Sequence, residues 1–251
     1  MLADTGAGHC RNADSQISNR GTRVEKSEAL HVMETHGWLS RRPAPFRAEV
    51  IRRSRLRTFQ PGESLYNAGD PPIGMVGVIT GQLQIRMPPA DSIGSIGAIG
   101  QWIGDATAFM REPRWVSLTA GSRLHILHLP QAEFEAMIRD AENCRHFAIN
   151  TAEALAEAVT VVGNLIQPDS EIRVAQRLLT LTGIHGADRQ FGLEIAQADL
   201  ATMCGLSRQT MNKVLSGLVA SGIIALHYRR IEIIDVPALQ ALAIHDERVW
   251  R

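Results

Sequence analysis

Within six residues the chain carries Arg208, Gln209 and Lys213, three long side chains that end in hydrogen-bonding groups. Such groups can read the edges of nucleic-acid bases. An arginine offers two donors to guanine, a glutamine makes a two-bond pair with adenine, and a lysine meets guanine or a phosphate. Ser207 and Thr210 beside them could meet a sugar-phosphate backbone through their hydroxyls, helped by the free amides of a helix N-terminus. From Gly205 to Arg230 the basic residues are Arg208, Lys213, Arg229 and Arg230, with His227 beside them and no Asp or Glu. The plainer reading of these charges is a solvated face.

These residues could act together only if a helix turned them outward. The stretch Gly205 to Gly222 reads GLSRQTMNKVLSGLVASG. Gly205 can close the preceding helix and turn the chain, and Ser207 is a good N-cap for the next one. Leu200, Met203, Leu206, Met211, Val214, Leu215 and Leu218 then form one apolar face, which leaves Arg208, Gln209, Asn212 and Lys213 on the other. The spacing predicts helices over 196–204 and 207–220, the geometry in which the first turns of the second helix enter a major groove. A helix over 172–181 precedes them. After them IIAL and IEII flank HYRR, a hairpin whose tip would bring Arg229 and Arg230 to a neighbouring phosphate run, and Pro237 opens a last helix. Three helices and a hairpin describe a small winged domain, entered through a linker at 168–171.

Upstream the texture differs. Between Leu56 and Leu129, glycines recur around short pieces such as MVGVI, QLQI, WVSLTA and RLHILHL, a pattern of antiparallel strands in a sandwich or barrel. In LHILHL both faces are partly apolar, as in an inner strand, with His125 and His128 expected at surface or rim. Residues 31–56 have helical apolar spacing broken by RRPAP. A short helix is predicted over 131–140 and a long one over 143–167, stopped by Pro168. On the long helix Phe147, Thr151, Ala154, Leu155, Ala158, Val161, Val162 and Leu165 fall near one face, which suits either a dimer partner or the chain's own sheet. Residues 1–30 read as a flexible tail.

The bulk numbers bound the function. The chain has 251 residues, a 45% hydrophobic fraction, and 26 basic against 26 acidic residues. With no general attraction to polyanions, any nucleic-acid contact must come from a local patch. Cys10, Cys144 and Cys204 are far apart and odd in number, which fits a reducing compartment and supplies no metal site. The start lacks the pattern of a signal peptide and no window is long and apolar enough for a membrane span, so a cytoplasmic protein is expected. Enzyme motifs are missing: GSIGAIGQWIG has neither the Lys nor the Ser/Thr of a phosphate-cradling loop, and its context of turns and short strands does not fit a dinucleotide fold. No cofactor is expected.

From about Leu56 to Ala243 the chain resembles the Crp/Fnr family of bacterial transcription regulators. The resemblance rests on PGESLYNAGDPP and ITGQLQI in the first module and on ADLATMCGLSRQTMNKVLSGLVASGII in the last. It implies an α+β architecture: a cyclic-nucleotide-binding-like antiparallel β-roll over 31–142, a dimerisation helix over 143–168, and a winged helix-turn-helix over 169–251. It implies a homodimer on double-stranded DNA, with RNA polymerase and a small-molecule effector as candidate further partners and no membrane. The family's base-reading positions fall on Arg208, Gln209 and Lys213. Two of the three differ from the catabolite activator, so a different half-site is expected.

The family's effector pocket maps onto Gly104, Asp105, Arg114, Trp115, Ala158 and Val159. Asp105 stands where a longer Glu would hold a ribose hydroxyl, and Trp115 replaces a small hydroxyl residue beside the phosphate-binding Arg114. Ala158 and Val159 replace purine-contacting Thr and Ser. A purine amine buried without partners is costly, so usual cyclic AMP binding is not expected. Arg114 and Asp105 could instead form a structural pair bracing the roll. The rival readings are a cyclic-nucleotide-responsive regulator and a sensory or scaffold protein whose winged domain contacts proteins.

Overall fold

The computed structural model describes residues 31–182 and 191–244. The expected tail, with Cys10, lies outside the described residues. Helical residues 31–35 (α1), α2 (Gly37–Ser40) and α3 (Ala44–Arg53) lead into eight strands: β1 (Arg55–Phe59), β2 (Ser64–Tyr66), β3 (Gly74–Thr80), β4 (Leu83–Met87), β5 (Ser92–Gly97), β6 (Trp102–Ile103), β7 (Ser117–Ala120) and β8 (Leu124–Pro130). A short helix α4 (Asp105–Met110) interrupts them. They form two four-stranded antiparallel sheets, β1-β8-β3-β6 and β2-β7-β4-β5.

Strand β8 is the inner strand that its two-sided apolar pattern implied, because β1 and β3 pair along its two edges. Leu124 and Ile126 face the space between the sheets with Phe59, Val78 and Leu118. Leu127 and Leu129 face a second core made with Trp38, Phe46, Phe134 and Phe147. Each large side chain so buried contributes about 1.5–3 kcal/mol, which fixes the strand's register from both sides. His125 and His128 are half-buried: His125 bonds the Thr80 hydroxyl at 2.8 Å and His128 Nε2 the Ile73 carbonyl at 2.8 Å.

After α5 (Gln131–Met137) comes α6 (Ala141–Ile166), 26 residues long and so about 39 Å. Asp140 caps it by accepting from the Asn143 amide at 2.9 Å. The apolar stripe expected along one face divides in two. Phe147 is fully buried against the roll, whereas Leu155, Val162 and Leu165 of that stripe are exposed, as are Val159 and Ile166 outside it. The helix therefore packs on its own sheet at its start and presents an uncovered apolar ridge further on.

Helix α7 begins at Ser170, so Ser170 and Glu171, expected in the linker, are its first residues (Ser170–Thr182). Then come β9 (Phe191–Glu194), α8 (Gln197–Met203), α9 (Arg208–Ala220), β10 (Ile224–His227), β11 (Arg230–Ile233) and α10 (Val236–Ala243). The wing is a three-stranded sheet in the order β10-β11-β9, not the two-stranded hairpin expected. One core of Val174, Leu178, Leu200, Met211, Leu215, Leu218, Ile231 and Leu239 holds these elements together. It also receives Ile93 and Ile96 from β5, and the buried Arg177 donates to the Gly94 carbonyl. The glycine-rich stretch thus forms a strand that seats the winged domain on the roll.

Candidate nucleic-acid interface and effector pocket

Gly205 adopts φ 61° after α8, a left-handed turn that glycine tolerates without strain. The turn closes through the Leu206 amide to the Ala201 carbonyl at 2.9 Å. Ser207 caps α9 by accepting from the Thr210 amide at 3.1 Å, and its hydroxyl also bonds the Thr210 hydroxyl at 2.9 Å. Met211, Val214, Leu215 and Leu218 are buried while Arg208, Gln209, Asn212 and Lys213 are exposed. The apolar face leaves α9 no rotational freedom to hide its polar one.

Arg173, on α7, carries a signal that no local pattern betrays. Its guanidinium donates to the Gln167 carbonyl at the end of α6 (Nε, 2.9 Å) and to the Cys204 carbonyl in the turn before α9 (Nη1, 3.1 Å). One rigid fork thereby ties the long helix to the helix-turn-helix. Cys204 itself is buried, and desolvation pushes its thiol up to about 11 despite the nearby Arg177 and Arg173.

The wing turn lies at Tyr228 and Arg229, with Arg229 at φ 54°. Tyr228 is 93% exposed, and Arg229 and Arg230 are exposed beside it. His227 bonds Glu232 at 3.0 Å, the acid just beyond the patch. A cleft of about 250 Å³ between this tip and Ala196–Gln197 is lined by Tyr228, Arg229 and Arg230.

In the roll, Arg114 is 3% exposed. Its Nη1 donates to the Gly104 carbonyl at 2.9 Å and the Thr107 hydroxyl at 2.6 Å, its Nη2 to the Gly74 carbonyl, and its guanidinium lies 4.5 Å from the Tyr66 ring centre. Burial lowers the Arg114 pKa from its usual value, and the pull of Tyr66 and Asp105 offsets part of that. Burial also pushes the Tyr66 phenol up to about 12. Gly104 has φ 102°, and a Cβ there would lie 2.6 Å from Arg114 Nη1, so glycine is needed on both counts.

Asp105, 4% exposed, accepts from the Asn150 amide at 2.9 Å and the Thr151 hydroxyl at 2.6 Å, both on α6. Arg114 and Asp105 are therefore not bonded to each other: one braces α4 against β3, the other ties α4 to α6. Trp115 is 52% exposed, and Ala158 and Val159 are exposed further along α6. The fold brings Gly104, Arg114 and Asp105 together around α4. A separate cleft of about 410 Å³ touches roll, long helix and winged domain, with Trp38, Ile96, Trp102, Asn150, Glu157 and Thr180 in its walls. Among the described residues no group of His, Cys, Asp and Glu could hold a metal ion, and no helix is long and apolar enough to cross a membrane.

A β-roll joined by a long helix to a winged helix-turn-helix is the architecture of a DNA-binding transcription regulator. Residues 56–141 match the cyclic nucleotide-binding domain and residues 172–242 the Crp-like helix-turn-helix domain. The chain belongs to the Crp/Fnr family of transcription regulators, which are not enzymes. It is 24% identical over 185 residues to a CRP-like cAMP-activated global transcriptional regulator of Mycobacterium tuberculosis, covering 70% of this chain and 83% of that protein. Its fold is similar to that of FixK2 from Bradyrhizobium japonicum, with a TM-score of 0.66 at 20% identity over 75% of this chain and 96% of that one. It is also similar to the c-di-GMP responsive global regulator CLP of Xanthomonas campestris, with a TM-score of 0.60 at 16% identity over 77% and 100%.

Proposed function

We propose that two copies of this chain pair along the exposed ridge of α6 and set two α9 helices in successive major grooves about 34 Å apart. Arg208, Gln209 and Lys213 select the site, while Ser207, Thr210, Arg229 and Arg230 hold the phosphate backbone. The observation that carries this reading is the division of α9, which buries Met211, Val214, Leu215 and Leu218 and exposes Arg208, Gln209, Asn212 and Lys213 in its N-terminal half. A winged domain used for protein contacts would not need an acid-free donor face. The test is duplex binding as a function of salt. Counterion release predicts a steep linear fall of log K with log salt; affinity that ignores salt would contradict the reading.

The roll, in this reading, does not take cyclic AMP in the usual way. The guanidinium donors that would meet a phosphate already bond Gly74, Gly104 and Thr107, the Asp105 carboxylate already serves Asn150 and Thr151, and Ala158 and Val159 have no hydroxyl. The names of the two relatives above record different nucleotide effectors, so a family member's fold does not fix its ligand. Calorimetry of the full chain with cyclic AMP should show no binding heat. A micromolar or tighter interaction that depends on Arg114 would overturn this part of the account.

A further inference from the structure

Gly192 has no backbone reason to be glycine. It lies within β9 without a positive φ, it is exposed, and a glycine inside a strand costs stability. What a side chain there would meet is one group: the three nearest atoms to an added Cβ are Nε, Nη2 and Cζ of Arg230, with Cζ at 2.6 Å. The register explains the meeting. Arg230 on β11 stands opposite Glu194 and Glu232 stands opposite Gly192, so the Arg230 side chain crosses diagonally to the next residue on the same face of the wing. Glu232 does not compete for that place, because its carboxylate turns the other way to His227 at 3.0 Å. Among the described residues Arg230 forms no ion pair.

We infer that Gly192 is a positioning residue for DNA binding: its bare backbone is the seat on which the Arg230 guanidinium lies across the wing, ready to meet a phosphate. A planar, weakly hydrated guanidinium suits such a surface better than an ammonium would. Holding it there before DNA arrives removes part of the ordering cost of a rotamer-rich side chain. The inference rests on the phosphate role given to Arg230 in the proposed function.

The test is a double-mutant cycle on the full chain, with affinity for one duplex measured across salt concentrations. Because the obstructed atoms are the far end of a flexible side chain, Gly192→Ala should leave the thermal midpoint near wild type. It should weaken binding about 2- to 10-fold. Arg230→Ala should weaken it too and lower the salt slope by about one. In the Arg230→Ala background, Gly192→Ala should change nothing further. Full affinity in Gly192→Ala, or an equal loss with and without Arg230, would overturn the seat while leaving the DNA reading intact. Unchanged affinity and slope in Arg230→Ala would instead overturn both the phosphate role and the seat.

Discussion

Replacing Arg114 separates a brace from a ligand-binding group. The residue is 3% exposed, and its guanidinium donates to two backbone carbonyls and a hydroxyl, on β3 and on either side of the α4 start. Each such charge-assisted bond is worth about 1.5–3 kcal/mol, against which stands the cost of burying the charge. When Arg114 is removed the Gly104 carbonyl keeps the Ala108 amide at 3.1 Å and the Thr107 hydroxyl keeps the Gly104 carbonyl at 3.3 Å, but the Gly74 carbonyl and the face of Tyr66 lose Arg114. Leaving a buried acceptor unpaired costs about 1–3 kcal/mol, and Arg114→Ala should lose about that much. Arg114→Lys should recover only part, since one ammonium cannot span two carbonyls as a fork does. Urea unfolding of the ligand-free chain, followed by fluorescence from Trp38 and Trp102 in the roll, reads the effect. An Arg held in reserve for an anion would pay only for its burial, and its removal would stabilise the free protein. A midpoint at or above wild type in Arg114→Ala would therefore refute the bracing role.

Four further outcomes are expected. Ser207→Ala should cost about 1 kcal/mol of stability in the winged domain through the lost cap, seen as a lower urea midpoint, and should weaken duplex binding in a gel shift. Val159→Glu should weaken self-association about a hundredfold or more in sedimentation equilibrium, because a charge would be buried without a partner on the paired ridge. Cys204, held protonated up to about 11 by burial, should react with a disulfide reagent at pH 8 far more slowly than a free thiol. Its raised value also fixes a sign: the contribution to stability is complete below the unfolded thiol's pKa and is lost as pH climbs towards 11, so Cys204→Ala should flatten the decline between pH 9 and 11 in a thermal-shift series.

Local pattern carried much of this fold. The alternation in LHILHL marks a strand buried on both faces, and the spacing from Leu200 to Leu218 marks the helix-turn-helix with its outward donors. What pattern could not give is pairing across long separations. Strand β9 is four residues with a glycine inside, FGLE, and it is a strand only because β11 accepts it. The stripe on α6 read as one surface because periodicity cannot say where a neighbouring sheet ends; Asn150 and Thr151 mark that place, bonded to an aspartate more than forty residues earlier. Arg173 and Arg177 look like ordinary helix-surface charges, and their roles come from carbonyls on other elements. Asp105 and Arg114, adjacent in the expected pocket, turned out to serve different partners for the same reason.

The central claim is that the first turn of α9 reads bases. Selecting duplexes from a random pool with the wild-type chain and with Arg208→Ala tests it most directly. The account predicts a near-palindromic site for the wild type, and for Arg208→Ala a loss of about 1–3 kcal/mol with one base position relaxed in each half-site. Equal affinity and an unchanged consensus for the two proteins would contradict it.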